Sequence, residues 1–298
     1  MRILISGASG LIGRALAEGL RAAGHTVQTL LRRKPDESQG EIAWDPDAGV
    51  LDSSHLGGVE GVVHLAGKPI DLRWTEATKK AIRDSRVKGT SLLAQTAAQL
   101  PTRPKVFICA SAVGFYGSRG DELLDENSAP GQGFLADVCR QWEEAAAPAR
   151  DAGIRTVHLR SGIVLSCQGG MLARVLPRFK MGAGVVVGTG RQWMSWISLA
   201  DATAAIQYAI AAADLSGPVN LTTEQPVPNG EFTRTLGKIL GRPTLLPFPA
   251  FAVKLLFGEM GDELLLAGQK ALPKKLLASG FAFAHSDLES ALRWALAH

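Results

Sequence analysis

The chain has 298 residues, 46% hydrophobic and 20% charged, enough apolar material for a large α/β body with a smaller lobe and too much for gross disorder. The formal net charge is +4, yet the longest basic run is Arg32-Arg33-Lys34. Nucleic-acid binding therefore has no dedicated footprint, and a mildly basic holder of a polyanionic small molecule is the simpler expectation. Cys109, Cys139 and Cys167 are odd in number, far apart and without metal-ligand spacing. This pattern suits reduced thiols in a cytoplasmic protein, not disulfides or a zinc site. Glycines break the apolar start, and no apolar stretch reaches about 18 residues, so neither a signal peptide nor a membrane span is expected.

Residues 2–6 read as a strand and 11–23 as a helix with apolar spacing at Leu11, Ile12, Ala15, Leu16 and Leu20, stopped by Gly24. A second strand follows over 26–31. The near-continuous apolar runs 61–66 and 105–110 suit central strands covered on both sides. Helical patterns fill about 75–99 and 134–150, and 155–160 supplies another strand. This alternation predicts an α/β fold, a doubly wound parallel Rossmann sheet with helices on both faces. After about 165 it loosens into a helix, a Gly-rich turn, one or two strands and a helix over 200–213. Helical pieces at 250–257, 259–268 and 286–297, with Pro273 as a breaker, form a C-terminal appendage. The expected division is a Rossmann domain over 1–165 with elements returning from 200–220, a mixed substrate lobe over 166–248, and a helical domain over 249–298.

The segment Gly7-Ala8-Ser9-Gly10-Leu11-Ile12-Gly13 follows a predicted strand and opens a predicted helix, the context in which a glycine pattern signals dinucleotide binding. Gly7 permits the tight turn, Gly10 the approach of the pyrophosphate, and Gly13 close helix–sheet packing. The amides around Ser9, Leu11 and Ile12 would face the phosphates at the helix N-terminus. At the end of the second strand an NAD site usually has a carboxylate for the ribose hydroxyls; here Arg32 and Arg33 stand instead. Guanidinium forks suit a 2′-phosphate and point to NADP(H), with a solvated basic turn as the alternative. Leu65, Ala66 and Gly67, after His64, end the next central strand, where backbone borders the cofactor.

At this point the chain resembles the extended short-chain dehydrogenase/reductase superfamily, known for nucleotide-sugar epimerases and dehydratases. It is similar in particular to the epimerase-family branch with a C-terminal domain of unknown function. The glycine loop, HLAG (64–67), 74–90, SAVGFYG (111–117), 133–143, GTGRQWMSWI (188–197) and the tail 258–281 carry the resemblance nearly end to end. It implies that Ser111 occupies the position of the Ser or Thr that holds the substrate oxygen, in a loop one residue longer than usual. It also implies a Tyr-x-x-x-Lys pair some 20–25 residues on, and this pair is missing. Phe134 or Leu135 falls at the Tyr position and Val138 or Cys139 at the Lys position.

Tyr116, beyond a strand's C-terminal end, is the one credible phenolic acid/base; a packed ring with a hydrogen-bonded hydroxyl is the alternative. Lys88 is a candidate stand-in for the lysine. Arg160 and Gly162 follow a strand that the family lays against the nicotinamide. Arg191 is displaced from the family's phosphate-gripping arginine, whose place falls at Met194, and a surface salt bridge is its alternative. Ser198 stands where the family often has His, and Trp193 and Trp196 read as core, with a pocket lining as the alternative. Glu143 and Glu144, being adjacent, point to different helix faces and do not form a paired-carboxylate site. The expected function is an NADP(H)-dependent, epimerase-like oxidoreductase acting on a small molecule, anionic ones included. The rival is a non-catalytic NADP(H)-binding sensor or scaffold. The expected partners include neither nucleic acid nor membrane, and the expected state is a monomer or homodimer.

Overall fold

The computed structural model describes residues 1–244 and 246–298. In chain order, β1 (Arg2–Ser6), α1 (Leu11–Ala22), β2 (Thr26–Leu31), β3 (Glu41–Asp45), β4 (Val50–Leu51), β5 (Gly61–His64), α2 (Glu76–Gln99) and β6 (Val106–Ala112) come first. There follow β7 (Leu123–Leu124), α3 (Phe134–Glu144), α4 (Ala147–Asp151), β8 (Arg155–Ser161), β9 (Ile163–Leu165), α5 (Gly170–Lys180), β10 (Val185–Val187), β11 (Trp193–Met194) and β12 (Trp196–Ser198). The remainder is α6 (Leu199–Ala211), β13 (Gly217–Leu221), β14 (Val227–Pro228), α7 (Asn229–Leu240), β15 (Leu246–Phe248), α8 (Ala250–Phe257), a π-helical turn (Gly261–Leu266), β16 (Lys270–Ala271), α9 (Lys274–Ala278) and α10 (Leu288–Ala297).

Two compact units result. The first comprises Met1–Ser111, Val138–Leu159 and Thr203–Val219; the second comprises Ala112–Asp137, Arg160–Ala202 and Asn220–His298. An eight-stranded sheet has the order β13-β8-β6-β5-β1-β2-β3-β4. β1 pairs in parallel with β2 and β5, β5 with β6 and β2 with β3, while β4 closes the edge antiparallel to β3. This is the predicted Rossmann sheet. The chain order reverses on either side of β1, so the crevice beyond its C-terminal end is the switch point where such folds take ligands. Ile3, Leu4, Ile5, Val62, Val63, Phe107 and Ile108 are all at most 3% exposed, as strands covered on both faces must be. Leu16 and Leu20 of α1 are buried as their spacing predicts, and Gly24 takes a positive φ of 81° just after the helix.

Two differences from the sequence reading have plain causes. The helix expected over 134–150 breaks into α3 and α4, because Pro148 at the start of α4 cannot continue a helix from the preceding turn. The edge strands β3 and β4 are absent from the sequence reading, although Ile42 and Trp44 are buried in alternation along β3.

The second unit holds short strand pairs: β9 with β12 and β10 with β15 in parallel, β11 with β14 antiparallel, β7 with β16 in parallel. Leu172 of α5, Phe232 and Leu236 of α7, and Leu288 and Leu292 of α10 pack with Trp196 in its core. Among the described residues no helix is long and apolar enough to cross a membrane.

Candidate functional site

In the first unit the chain turns sharply at Gly7, whose φ is +74°. A Cβ there would lie 2.7 Å from the Ala66 amide nitrogen, and one on Gly13 would drive into the Gly7 carbonyl. Only glycine lets β1, the Leu65–Ala66 backbone and α1 approach this closely. The α1 N-terminus at Gly10 has no side-chain cap and no acid in its first turn, so its amides and partial positive charge are left for an anion. Ser9 and Gly10 are exposed and Leu11 and Ile12 half-buried.

Beneath this turn, the Ser6 hydroxyl and His64 Nδ1 hydrogen-bond between β1 and β5, both residues buried. His64 Nε2 has no hydrogen-bond partner among the described residues, and burial first, then the nearby Arg86 charge, depresses the ring's pKa to about 3.

The two arginines after β2 diverge. Arg33 Nη2 donates to Glu41 Oε1 at 2.7 Å and Nη1 to the Lys34 carbonyl at 3.0 Å. Glu41 is held below its ordinary pKa, first by the Asp36 amide and then by Arg33. Arg32 instead lines a cleft of about 560 Å³ with Gly67, Lys68, Lys80 and Ser85, and is only loosely paired with Asp47 at 3.9 Å.

Lys88 is exposed and paired with Asp84 at 3.3 Å. From the same helix Arg86 reaches Gly67: its Nη1 donates to the carbonyls of Lys68 at 2.9 Å and Ile82 at 3.1 Å. Its guanidinium lies 5.0 Å over the Trp142 ring, and burial lowers its pKa.

At the end of β6, Ser111 is 4% exposed and its Oγ donates to Glu143 Oε1 at 2.7 Å. Glu143 is half-buried, whereas Glu144 is exposed and reaches Arg150 at 3.9 Å. The two glutamates do face apart, but the sequence reading misses the pairing of Glu143 with Ser111. The helical spacing Ala136, Cys139, Glu143 is the available signal, since it places Glu143 on the inward face of α3.

In the second unit Tyr116 takes the packed alternative. Its ring is wholly buried; its hydroxyl donates to Asn220 Oδ1 at 2.7 Å and accepts from Arg160 Nη1 at 3.1 Å. Burial pushes the phenol up to about 12, against the opposing pull of Arg160. The Arg160 guanidinium is itself buried, 3.5 Å over the Phe115 ring, so its side chain serves this network. Buried Glu126 completes it by accepting from the amides of Asn220 and Lys275. Gly162 packs against the Ser195 carbonyl, and its amide donates to that of Leu221 at 3.1 Å.

Ser198 is buried and donates to Asp201 at 2.8 Å, and His285 Nδ1 lies 3.2 Å from its hydroxyl. Trp196 is core, its indole bonded to the Gln225 carbonyl. Trp193 is half-buried and donates to Asp121 at 2.6 Å. Arg191 is exposed and has no ion pair among the described residues. Glu263 of the π-helical turn accepts from the amides of Phe134 at 2.8 Å and Leu135 at 2.9 Å, capping α3.

Residues 3–221 match the NAD dependent epimerase/dehydratase family, and 248–295 match a domain of unknown function. An epimerase family protein of Mycobacterium bovis, Mb2239, is 48% identical over 98% of this chain and 97% of its own. The crystal structure of human epimerase family protein SDR39U1 with NADPH is 32% identical, covers both chains completely and superposes with a TM-score of 0.90. That of a nucleoside-diphosphate sugar epimerase from Corynebacterium glutamicum is 39% identical with a TM-score of 0.83, over 99% of this chain and 58% of that one.

Proposed function

The chain belongs to the NAD-dependent epimerase/dehydratase family, and from that membership we propose that it binds NADP(H) and acts as an epimerase-like oxidoreductase on a small molecule. The observation that carries this reading is the cradle of Gly7 and Gly13 at the uncapped start of α1, with Arg32 on the cleft beside Gly67. Backbone at Gly7–Gly13 would take the pyrophosphate, and Arg32 the adenosine 2′-phosphate, with Arg33 held by Glu41 as a support for the turn. Leu65, Ala66 and Gly67 would border the cofactor by backbone. The NADPH in the similar human structure supports the same choice.

The dinucleotide, when bound, supplies or receives the hydride. The chain's own part is proton handling at Ser111. In oxidation of an alcohol, its Oγ accepts the substrate's hydroxyl proton while its own proton passes to the Glu143 carboxylate; reduction of a carbonyl reverses both transfers. In this scheme Glu143 does what the missing Tyr and Lys would have done, and Tyr116 acts as a positioning residue. A second reading, an NADP(H)-binding sensor, is favoured by the missing Tyr-x-x-x-Lys pair, with Phe134 or Leu135 at the family's Tyr position and Val138 or Cys139 at its Lys position.

Calorimetry with NADPH and NADH, followed by turnover of a carbonyl panel by the wild type and Ser111→Ala, tests both readings. NADPH preference with turnover lost in the variant supports the oxidoreductase. NADPH binding with no turnover of any carbonyl supports the sensor, and no NADPH uptake removes both.

A further inference from the structure

We propose that the outward face of α8 is an interface for a second copy of this chain, the two helices packing across a two-fold axis. α8 reads AFAVKLLF, so Lys254 is its one polar side chain and the helix is apolar on every side. A helix of that kind belongs inside a core or against a partner. One side is covered within the second unit: Val253 is wholly buried, and a Cβ on Gly261 of the π-helical turn would lie 2.9 Å from it. The opposite side is open. Phe251 is 73% exposed, Leu255 83% and Leu256 66%.

The exposed face is held in place from behind. The Lys254 carbonyl accepts from the Gly258 amide at 2.8 Å, and the Pro249 carbonyl accepts from the amides of Ala252 and Val253. The Phe257 ring meets that of Phe248 edge to face, their centroids 6.4 Å apart. Lys254 Nζ pairs with Asp262 of the following turn at 3.0 Å. Turning α8 to bury its outer side chains would expose Val253 and break these contacts, so the cover comes from another molecule.

Size and charge select a second copy as that molecule. Phe251 and Leu255 form one ridge four residues apart, and Ala252 and Leu256 form another beside it, with a shallow groove at the small Ala252. The first ridge of one copy fits the groove of the other, and a two-fold axis makes the fit reciprocal. The exposed side chains bring about 400–500 Å² of apolar surface per copy. The pair thus hides about 900 Å² before its rim is counted, near the roughly 1,000 Å² that a specific interface requires. Charge argues against other occupants. Helices that lie on anionic lipid carry a strongly basic polar face, whereas the cation of α8 is already committed to Asp262. An acidic partner meets the same obstacle, and a self-complementary apolar face needs no charge.

The interface stands apart from the cofactor reading, and its test needs no turnover. Sedimentation equilibrium of the full chain from about 1 to 100 μM should show a reversible monomer–dimer equilibrium. Leu255→Glu places two carboxylates in the shared patch and should weaken association about 100-fold or more; Phe251→Ala, which only truncates, should weaken it about tenfold. Both side chains are exposed, so far-UV circular dichroism and Tm should stay as in the wild type. Leu255→Lys should also be monomeric alone, and mixing it with Leu255→Glu should restore a dimer. A wild type that stays monomeric across the range, a dimer indifferent to Leu255→Glu, or a mixture that stays monomeric overturns the proposal. Flotation with phosphatidylcholine–phosphatidylserine vesicles separates the lipid alternative: vesicle binding without self-association, lost in Leu255→Glu, assigns the face to lipid and overturns the dimer.

Discussion

Ser111 Oγ donates to Glu143 Oε1 at 2.7 Å, joining the end of β6 to the inward face of α3. This places a carboxylate on the one hydroxyl that the family resemblance assigns to the substrate oxygen. Glu143→Gln keeps a hydrogen-bonding side chain but removes the proton acceptor. It is expected to lower kcat by about 10²-fold or more while leaving NADPH affinity unchanged. A change in KM alone would assign Glu143 to substrate positioning instead.

Arg32 and Arg33 are adjacent in sequence but differ in what holds them. Arg33 is committed to Glu41, while Arg32 faces the cleft with Gly67 and Lys68. Arg32→Ala is therefore expected to weaken NADPH binding by about tenfold or more and to leave NADH nearly untouched. Arg33→Ala should weaken NADPH only a few-fold, through the turn. Calorimetry with both cofactors checks this; equal losses for the two variants would return the 2′-phosphate to both arginines.

The buried His64 predicts sensitivity to acid. Its folded pKa of about 3 lies below the ordinary 6.5, so between those values the unfolded chain binds a proton that the folded chain refuses. Stability therefore falls as pH drops from about 6.5 toward 3. This group alone should remove about 2 kcal/mol between pH 7 and pH 5. Urea unfolding at the two pH values measures the loss, and His64→Gln should show about that much less of it.

What the sequence discloses, and what it hides, follows from the range of the interactions. The cofactor turn is readable because Gly10 and Gly13 both crowd the Gly7 carbonyl within a few residues of chain, and the apolar runs at 61–66 and 105–110 announce buried strands by composition. Glu143 is hard to place from sequence because its partner Ser111 lies 32 residues away and no local pattern encodes that contact. The divergence of Arg32 and Arg33 depends on Glu41, in an edge strand that the sequence does not announce. Strand pairs of two or three residues, such as β11 with β14, are too short to show a period of two. The choice between a reactive and a packed Tyr116 turns on Asn220, 104 residues on.

Glu263 yields the remaining prediction, about how the C-terminal segment acts on the rest of its unit. Its two carboxylate oxygens accept from the Phe134 and Leu135 amides, the first donors of α3. Gly133 is needed just before them, since a Cβ there would lie 2.7 Å from Glu263 Oε1. Glu263→Ala should cost about 1–2 kcal/mol and speed hydrogen exchange at Phe134 and Leu135 while leaving the amides of α1 unchanged. Glu263→Gln, which can satisfy one amide but carries no charge to oppose the helix dipole, should fall between the wild type and the alanine variant. If exchange at those two amides were indifferent to both substitutions, the carboxylate would not be what fixes the start of α3.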